Sequence, residues 1–148
     1  MKVAVAADHR GRAIKEMVVA MLTEQSCEVL DMGTNSSRSC DYPDFIRPAA
    51  EAVAAGRCDR GIVLGGSGNG EAMTANRLPG IRCALCWDLR SARLAREHND
   101  ANMLSLGQRV VSLEAALEIV DVFLTAGFEG GRHLRRIRGI DRTEPPNA

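Results

Sequence analysis

Gly61-Ile62-Val63-Leu64-Gly65-Gly66-Ser67-Gly68-Asn69-Gly70-Glu71 is a short apolar run, then a loop with four glycines, then a carboxylate where a helix should begin. Strand, glycine loop and helix N-terminus in that order are one unit of a parallel α/β sheet, and such a loop aims backbone N–H groups at an anion. Glycine permits close approach of a ligand and the helix N-terminus adds roughly half a positive charge, with Glu71 standing beside both. The pattern is a site for an oxyanion next to a base. It is not a P-loop, because it ends Gly70-Glu71-Ala72 rather than Gly-Lys-Ser/Thr. It is not the dinucleotide fingerprint either: counted from Gly66, Glu71 falls where the third glycine must pack helix on strand. Asn69 stands where a nucleophile elbow needs its second glycine, so Ser67 reads as a hydrogen-bond donor rather than a nucleophile.

Outward from this unit the same alternation continues to both ends. Lys2 to Ala7 reads as a strand, followed by Ile14, Met17, Val18, Met21 and Leu22 at helical spacing. Glu28 to Met32 reads as a second strand and Pro43 opens a helix running to about Ala55, proline being tolerated in a first turn. After the helix that begins near Gly70, Leu78-Pro79-Gly80 is a stop and Ile81 to Cys86 a fourth strand. Asp88 is placed to cap a helix reaching about Glu97, Met103 to Leu106 follows as a strand, and Ser112 to Ala126 as a long amphipathic helix. Five strand-helix units predict an α/β fold with a five-stranded parallel sheet covered on both faces, its site at the carboxyl ends of the strands. Residues 1–140 are expected to form a single domain and 141–148 a flexible tail.

The 148 residues are 45% apolar and 26% charged, the composition of a soluble globular protein, and nineteen basic residues cancel nineteen acidic ones. No global field draws the chain to nucleic acid or to an anionic membrane. The apolar start Val3 to Ala7 is too short for a signal peptide or a membrane span, so a cytoplasmic protein is expected. The five cysteines (Cys27, Cys40, Cys58, Cys83, Cys86) are odd in number and scattered, which fits reduced thiols. Cys83 and Cys86 form a C-x-x-C, but strand alternation points their sulfurs to opposite faces, so core packing is expected rather than a metal or redox site.

Chemistry-bearing residues gather at the strand ends. Asp8-His9 follow the first strand, the glycine loop and Glu71 the third, and Gly107-Gln108-Arg109 the fifth, while His98-Asn99 immediately precede the fifth. All three histidines therefore border these loops or the basic tail Arg132, His133, Arg135, Arg136, Arg138. Arg132 and Arg136 are spaced i, i+4, so one helical face can present both guanidinium forks to one phosphate. Aromatic residues are only 3% of the chain, so the tail has no stacking platform for nucleic acid.

Seven segments, in order, carry a specific likeness: Ala7-Asp8-His9, Asp41-Tyr42-Pro43, Gly65 to Glu71, Ala75-Asn76-Arg77, Arg96-Glu97-His98-Asn99, Leu106 to Val110 and Gly131 to Arg136. Together they resemble the ribose-5-phosphate isomerase B family, which also includes galactose-6-phosphate and allose-6-phosphate isomerases. One branch of that family carries a cysteine at the position of Gly65; the other uses a glutamate after the glycine loop, and this chain is similar to the second. The resemblance implies a three-layer Rossmann-like fold, a homodimer or a tetramer of such dimers with sites between subunits, no metal and no organic cofactor. It implies Glu71 as the proton carrier, His98 as the acid-base group that opens the sugar ring, and Asp8 assisting at the hydroxyls. Asn99 would hydrogen-bond the sugar, Tyr42 lies in a matching segment, and His9, Arg109, Arg132, His133 and Arg136 match the family's phosphate contacts. An aldose-ketose isomerisation passes through an enediolate, for which the N–H groups of Gly66, Ser67, Gly68, Asn69 and Gly70 can hold the oxygen. The expected substrate pair is ribose 5-phosphate and ribulose 5-phosphate. The alternatives are another phosphosugar (allose 6-phosphate, galactose 6-phosphate or a tetrose phosphate) or, in a different class, an anion-binding module without turnover.

Overall fold

Alternation along the first strand sorts the molecule into layers. In β1 (Lys2–Ala7), Val3, Val5 and Ala7 point into one buried cluster, while Ala4 and Ala6 point into another. The first cluster is completed by Ile14, Val18 and Leu22 of α1 (Arg12–Glu24), Ala92 of α4 (Leu89–Asn99), and Ile119, Val120 and Phe123 of α5 (Leu113–Thr125). The second is completed by Ile46, Ala49 and Val53 of α2 (Tyr42–Ala54) and by Ala72 and Ala75 of α3 (Asn69–Ala75). Between them lies a five-stranded parallel sheet in the order β2-β1-β3-β5-β4, with β2 (Glu28–Asp31), β3 (Arg60–Gly65), β4 (Cys83–Leu85) and β5 (Met103–Gly107). This computed structural model describes residues 1–146. The expected three-layer α/β fold is the one found.

The strand order places the site. The chain leaves β1 for the β2 edge and leaves β3 for the β4 edge, so a crevice opens at the carboxyl ends of β1 and β3, where such sheets bind ligands. Asp8-His9 and the glycine loop both emerge there.

Local chemistry explains the element ends. Tyr42 and Pro43 occupy the first turn of α2, and Asp88 caps α4 by accepting from Ser91 N–H at 2.7 Å while Ser91 Oγ receives the Asp88 N–H at 3.2 Å. Cys83 and Cys86 fall in opposite core clusters, as strand alternation requires. The fourth strand is shorter than expected. Arg82 N–H goes to the Asn102 side chain (2.8 Å), and the Asn76 amide bonds both Cys83 N–H (2.7 Å) and Cys83 C=O (2.9 Å), so side chains take over part of the ladder. α6 (His133–Arg138) packs on α4. Beyond it, Asp141 accepts from Gly80 N–H at 2.8 Å, which anchors the start of the predicted tail; residues 147–148 of that tail lie outside the described residues. No described helix is long and apolar enough to cross a membrane.

Candidate active site

Glu71 sits in the first turn of α3 yet is only 3% exposed. A carboxylate that merely complements a helix dipole stays in solvent, so this side chain has been drawn inward for another reason. The room it needs is made by Gly65: a β-carbon built there would overlap Glu71 Oε1 and Cδ. Burial pushes the Glu71 carboxyl above its ordinary value, its own backbone N–H pulls the other way, and the charge of Asp8 adds to the rise. A base whose proton affinity is lifted toward neutrality is suited to carry a proton between carbons.

The surrounding groups are fixed by backbone hydrogen bonds. Gln108 N–H and Arg109 N–H donate to the carbonyls of Gly65 and Gly66 at 2.9 Å, tying the loop after β5 to the loop after β3. Ser105 Oγ donates to Gly68 C=O at 2.7 Å, and Gly68 opens α3 at φ +85°, a conformation that favours glycine. Ser67 Oγ accepts from Asn69 N–H at 3.2 Å. Asp8 is buried, and its Oδ1 accepts from Arg10 N–H (2.9 Å) and Gly11 N–H (3.1 Å), which turns the chain into α1. His9 Nδ1 accepts from Cys40 N–H at 3.2 Å, so its donor is Nε2. The Tyr42 ring covers Gly70. Asp8, His9, Tyr42, the loop from Gly66 to Gly70, Glu71 and Arg109 thus share one crevice. Arg10 joins them, its Cδ 3.1 Å from a β-carbon built on Gly66 and on the same side as Arg109. Sequence reading missed Arg10, although its place directly after Asp8-His9 was a signal.

His98 and Asn99 lie elsewhere in the chain, and their expected loop position needs correcting. They lie in the last turn of α4, not in a loop, because the helix runs on to Asn99 before Asp100 turns it at φ +44°. Arg96 stabilises that glycine-free end by donating to Asp100 Oδ1 (2.8 Å) and Ala101 C=O (2.7 Å). A helix that returns between parallel strands runs against them, so its C-terminus lies at their amino ends. The five residues of β5 at about 3.3 Å each therefore set His98 roughly 15 Å along the sheet from the crevice holding Glu71.

Around His98 a second group assembles. Its ring stacks on that of His133 with centroids 4.5 Å apart and planes 16° apart. Glu129 lies against both, Oε1 at 3.7 Å from His98 Nε2 and Oε2 at 3.7 Å from His133 Nε2. Arg132, which precedes α6 as its N-cap, and Arg136 within it are exposed. The three side chains could offer ligand atoms within 4.8 Å of one another, but the near-parallel rings direct their lone pairs side by side rather than toward one ion. Glu129 is the second residue that sequence reading did not single out. One chain therefore carries two separate candidate groups: Glu71, the glycine loop and His9, Arg10, Arg109 at the carboxyl ends of the strands, and His98, Asn99, Arg132, His133 and Arg136 toward their amino ends.

Known proteins share this whole arrangement of elements. A ribose-5-phosphate isomerase B of Clostridium thermocellum superposes with a TM-score of 0.94 at 50% identity, covering 95% of each chain. The Mycoplasma genitalium ribose-5-phosphate isomerase B with bound ribulose-5-phosphate gives 0.90 at 40% identity over 94% of this chain and 93% of the other. Ribose-5-phosphate isomerase B of Escherichia coli (strain K12) is 46% identical over 143 residues, 97% of this chain and 96% of that protein. The profile described as Ribose/Galactose Isomerase matches residues 3–140, and the chain belongs to that family.

Proposed function

We propose that the chain is an aldose-ketose isomerase interconverting D-ribose 5-phosphate and D-ribulose 5-phosphate through an enediolate, with Glu71 as the base. The observation that carries this reading is the buried Glu71 carboxyl, raised in pKa and seated under Gly65 beside the glycine loop. Glu71 takes the proton from C2 of the open aldose and returns it to C1. N–H groups of the loop from Gly66 to Gly70 hold the developing enediolate oxygen, and Ser67 assists. His9, Arg109, Arg132 and Arg136 meet the phosphate, with His133 beside them. His98 opens the furanose, and Asn99 and Asp8 bind hydroxyls.

Because the two half-sites sit at opposite ends of the strands, this chemistry needs a second copy, so the working unit is a symmetric homodimer. Each site joins Glu71 of one protomer to His98 of its partner. All five cysteines are free, which suits a cytoplasmic enzyme. The test is a panel of phosphorylated aldoses of four to six carbons given to the purified protein. Ribose 5-phosphate should give the highest kcat/KM; a preference for a six-carbon phosphosugar would move the substrate assignment, and turnover of none would leave an anion-binding module.

A further inference from the structure

Glu129 has no task in the chemistry above, yet it touches both histidines of the second half-site. We infer that Glu129 is a positioning residue for ring opening, holding His98 with its proton on Nε2 so that Nδ1 faces the sugar. This rests on the reading that His98 opens the furanose.

Three observations support it. First, the backbone of Glu129 is pinned, its N–H donating to Glu97 C=O at 3.0 Å, one residue before His98. Glu129 and His98 are thus held together by main chain rather than by chance contact of two surface side chains. Second, the turn Gly130-Gly131 adopts φ of +71° and +58° and leads into α6, with His133 N–H on Gly130 C=O at 3.3 Å. That turn brings His133 back over the same carboxylate and buries it to 7% exposure. Third, the two carboxylate oxygens divide between the rings, one to each Nε2 at 3.7 Å, while the rings stack at 4.5 Å. At 3.7 Å this is an ion-pair distance, and a hydrogen bond would need the pair to close by under about 1 Å. An acceptor-only carboxylate selects the N–H tautomer at the nitrogen it faces. The opposite nitrogen is then left with its lone pair.

The consequence for the chemistry is definite. Nδ1 of His98 takes the proton of the C1 hydroxyl, the C1–O4 bond breaks as the carbonyl forms, and O4 receives the electron pair. The imidazolium returns its proton to O4, which leaves the open aldehyde and a neutral histidine. Glu129 keeps the ring in the competent tautomer and balances its transient charge, with the His133 ring stacked against it as a wall.

The test uses the full-length protein and three readouts. In Glu129→Gln, kcat for ribose 5-phosphate should fall about tenfold or more, the range for groups that orient a functional histidine, while KM stays within about twofold. Exchange of the C1 proton of ribulose 5-phosphate with solvent, which bypasses the closed ring, should be unchanged. Nitrogen NMR of histidine-labelled wild-type protein should find the His98 proton on Nε2, a measurement that does not depend on any variant folding. A His98 proton on Nδ1 in the wild type, or an unaltered aldose kcat in Glu129→Gln, would overturn the inference. Equal losses of aldose turnover and ketose exchange would overturn it too, since Glu129 would then act on the enediolate step or on folding. If His98→Asn itself spares aldose turnover, the ring-opening reading falls first and Glu129 with it.

Discussion

Glu71 is costly to bury, and the cost shows in its proton affinity. Its carboxyl is raised by burial, lowered by its own backbone N–H and raised again by Asp8, with the net shift upward. Between the unfolded and the folded pKa the native state holds a proton that the unfolded chain has released, so stability falls as pH rises through that window. Glu71→Gln removes this penalty: the variant should melt higher than the wild type at about pH 8, and the difference should vanish as pH falls below the ordinary carboxylate range. The same variant should lose at least about a hundredfold in turnover, since the base is gone and the shape is kept. Near-normal turnover would remove Glu71 from the chemistry; a variant less stable at about pH 8 would contradict its buried placement. Gly65→Ala probes the same point from the other side. Its β-carbon would occupy the place of the carboxylate, so turnover should fall on the order of a hundredfold through displacement of the base, with KM little changed.

At the scale of elements, loops are aimed by buried contacts some distance away. Lys15 of α1 is fully buried, and its Nζ donates to Asp31 Oδ1 (3.0 Å), Asp31 Oδ2 (2.9 Å) and Asn35 Oδ1 (2.8 Å). It moors the segment after β2 that delivers Cys40 N–H to His9. Lys15→Met keeps most of the volume and removes the mooring. It should cost about 1–3 kcal/mol in urea unfolding and raise KM for the sugar phosphate more than it lowers kcat. An unchanged KM would mean that His9 is positioned without that segment. Much of this architecture was readable in advance, since alternating β and α periodicity fixed five strands and the strand ends pointed to Asp8, Glu71 and Arg109. What stayed hidden was set by side chains bonding backbone at a distance. The end of α4 has no glycine signal because Arg96 and Asp100 do that work, and so His98 looked like a loop residue. Glu129 was invisible because its relation to His98 exists only through the Glu97 carbonyl and the fold of α6 onto α4.

For the whole molecule, the proposed homodimer makes a prediction that no monomer can satisfy. Glu71→Gln and His98→Asn homodimers should each be impaired on ribose 5-phosphate. Mixed after unfolding and refolding together, they should regain about a quarter of wild-type activity, because half the dimers are mixed and one of the two sites in each keeps both residues. No recovery would show that a site draws both residues from one chain. The two parent variants should also differ by direction. Glu71→Gln should abolish proton exchange from ribulose 5-phosphate, whereas His98→Asn should slow the aldose and leave that exchange running. Loss of exchange in both would put His98 in the enediolate step.

The overlap between a β-carbon at position 65 and the Glu71 carboxylate also constrains ancestry. A thiol rooted at position 65 and the carboxylate rooted at position 71 would compete for the same space, so adding either base while the other is in place crowds the crevice. One route passes through a crowded intermediate bearing both, the other through an empty intermediate bearing neither. Exchange of one base for the other would then take paired substitutions at positions 65 and 71.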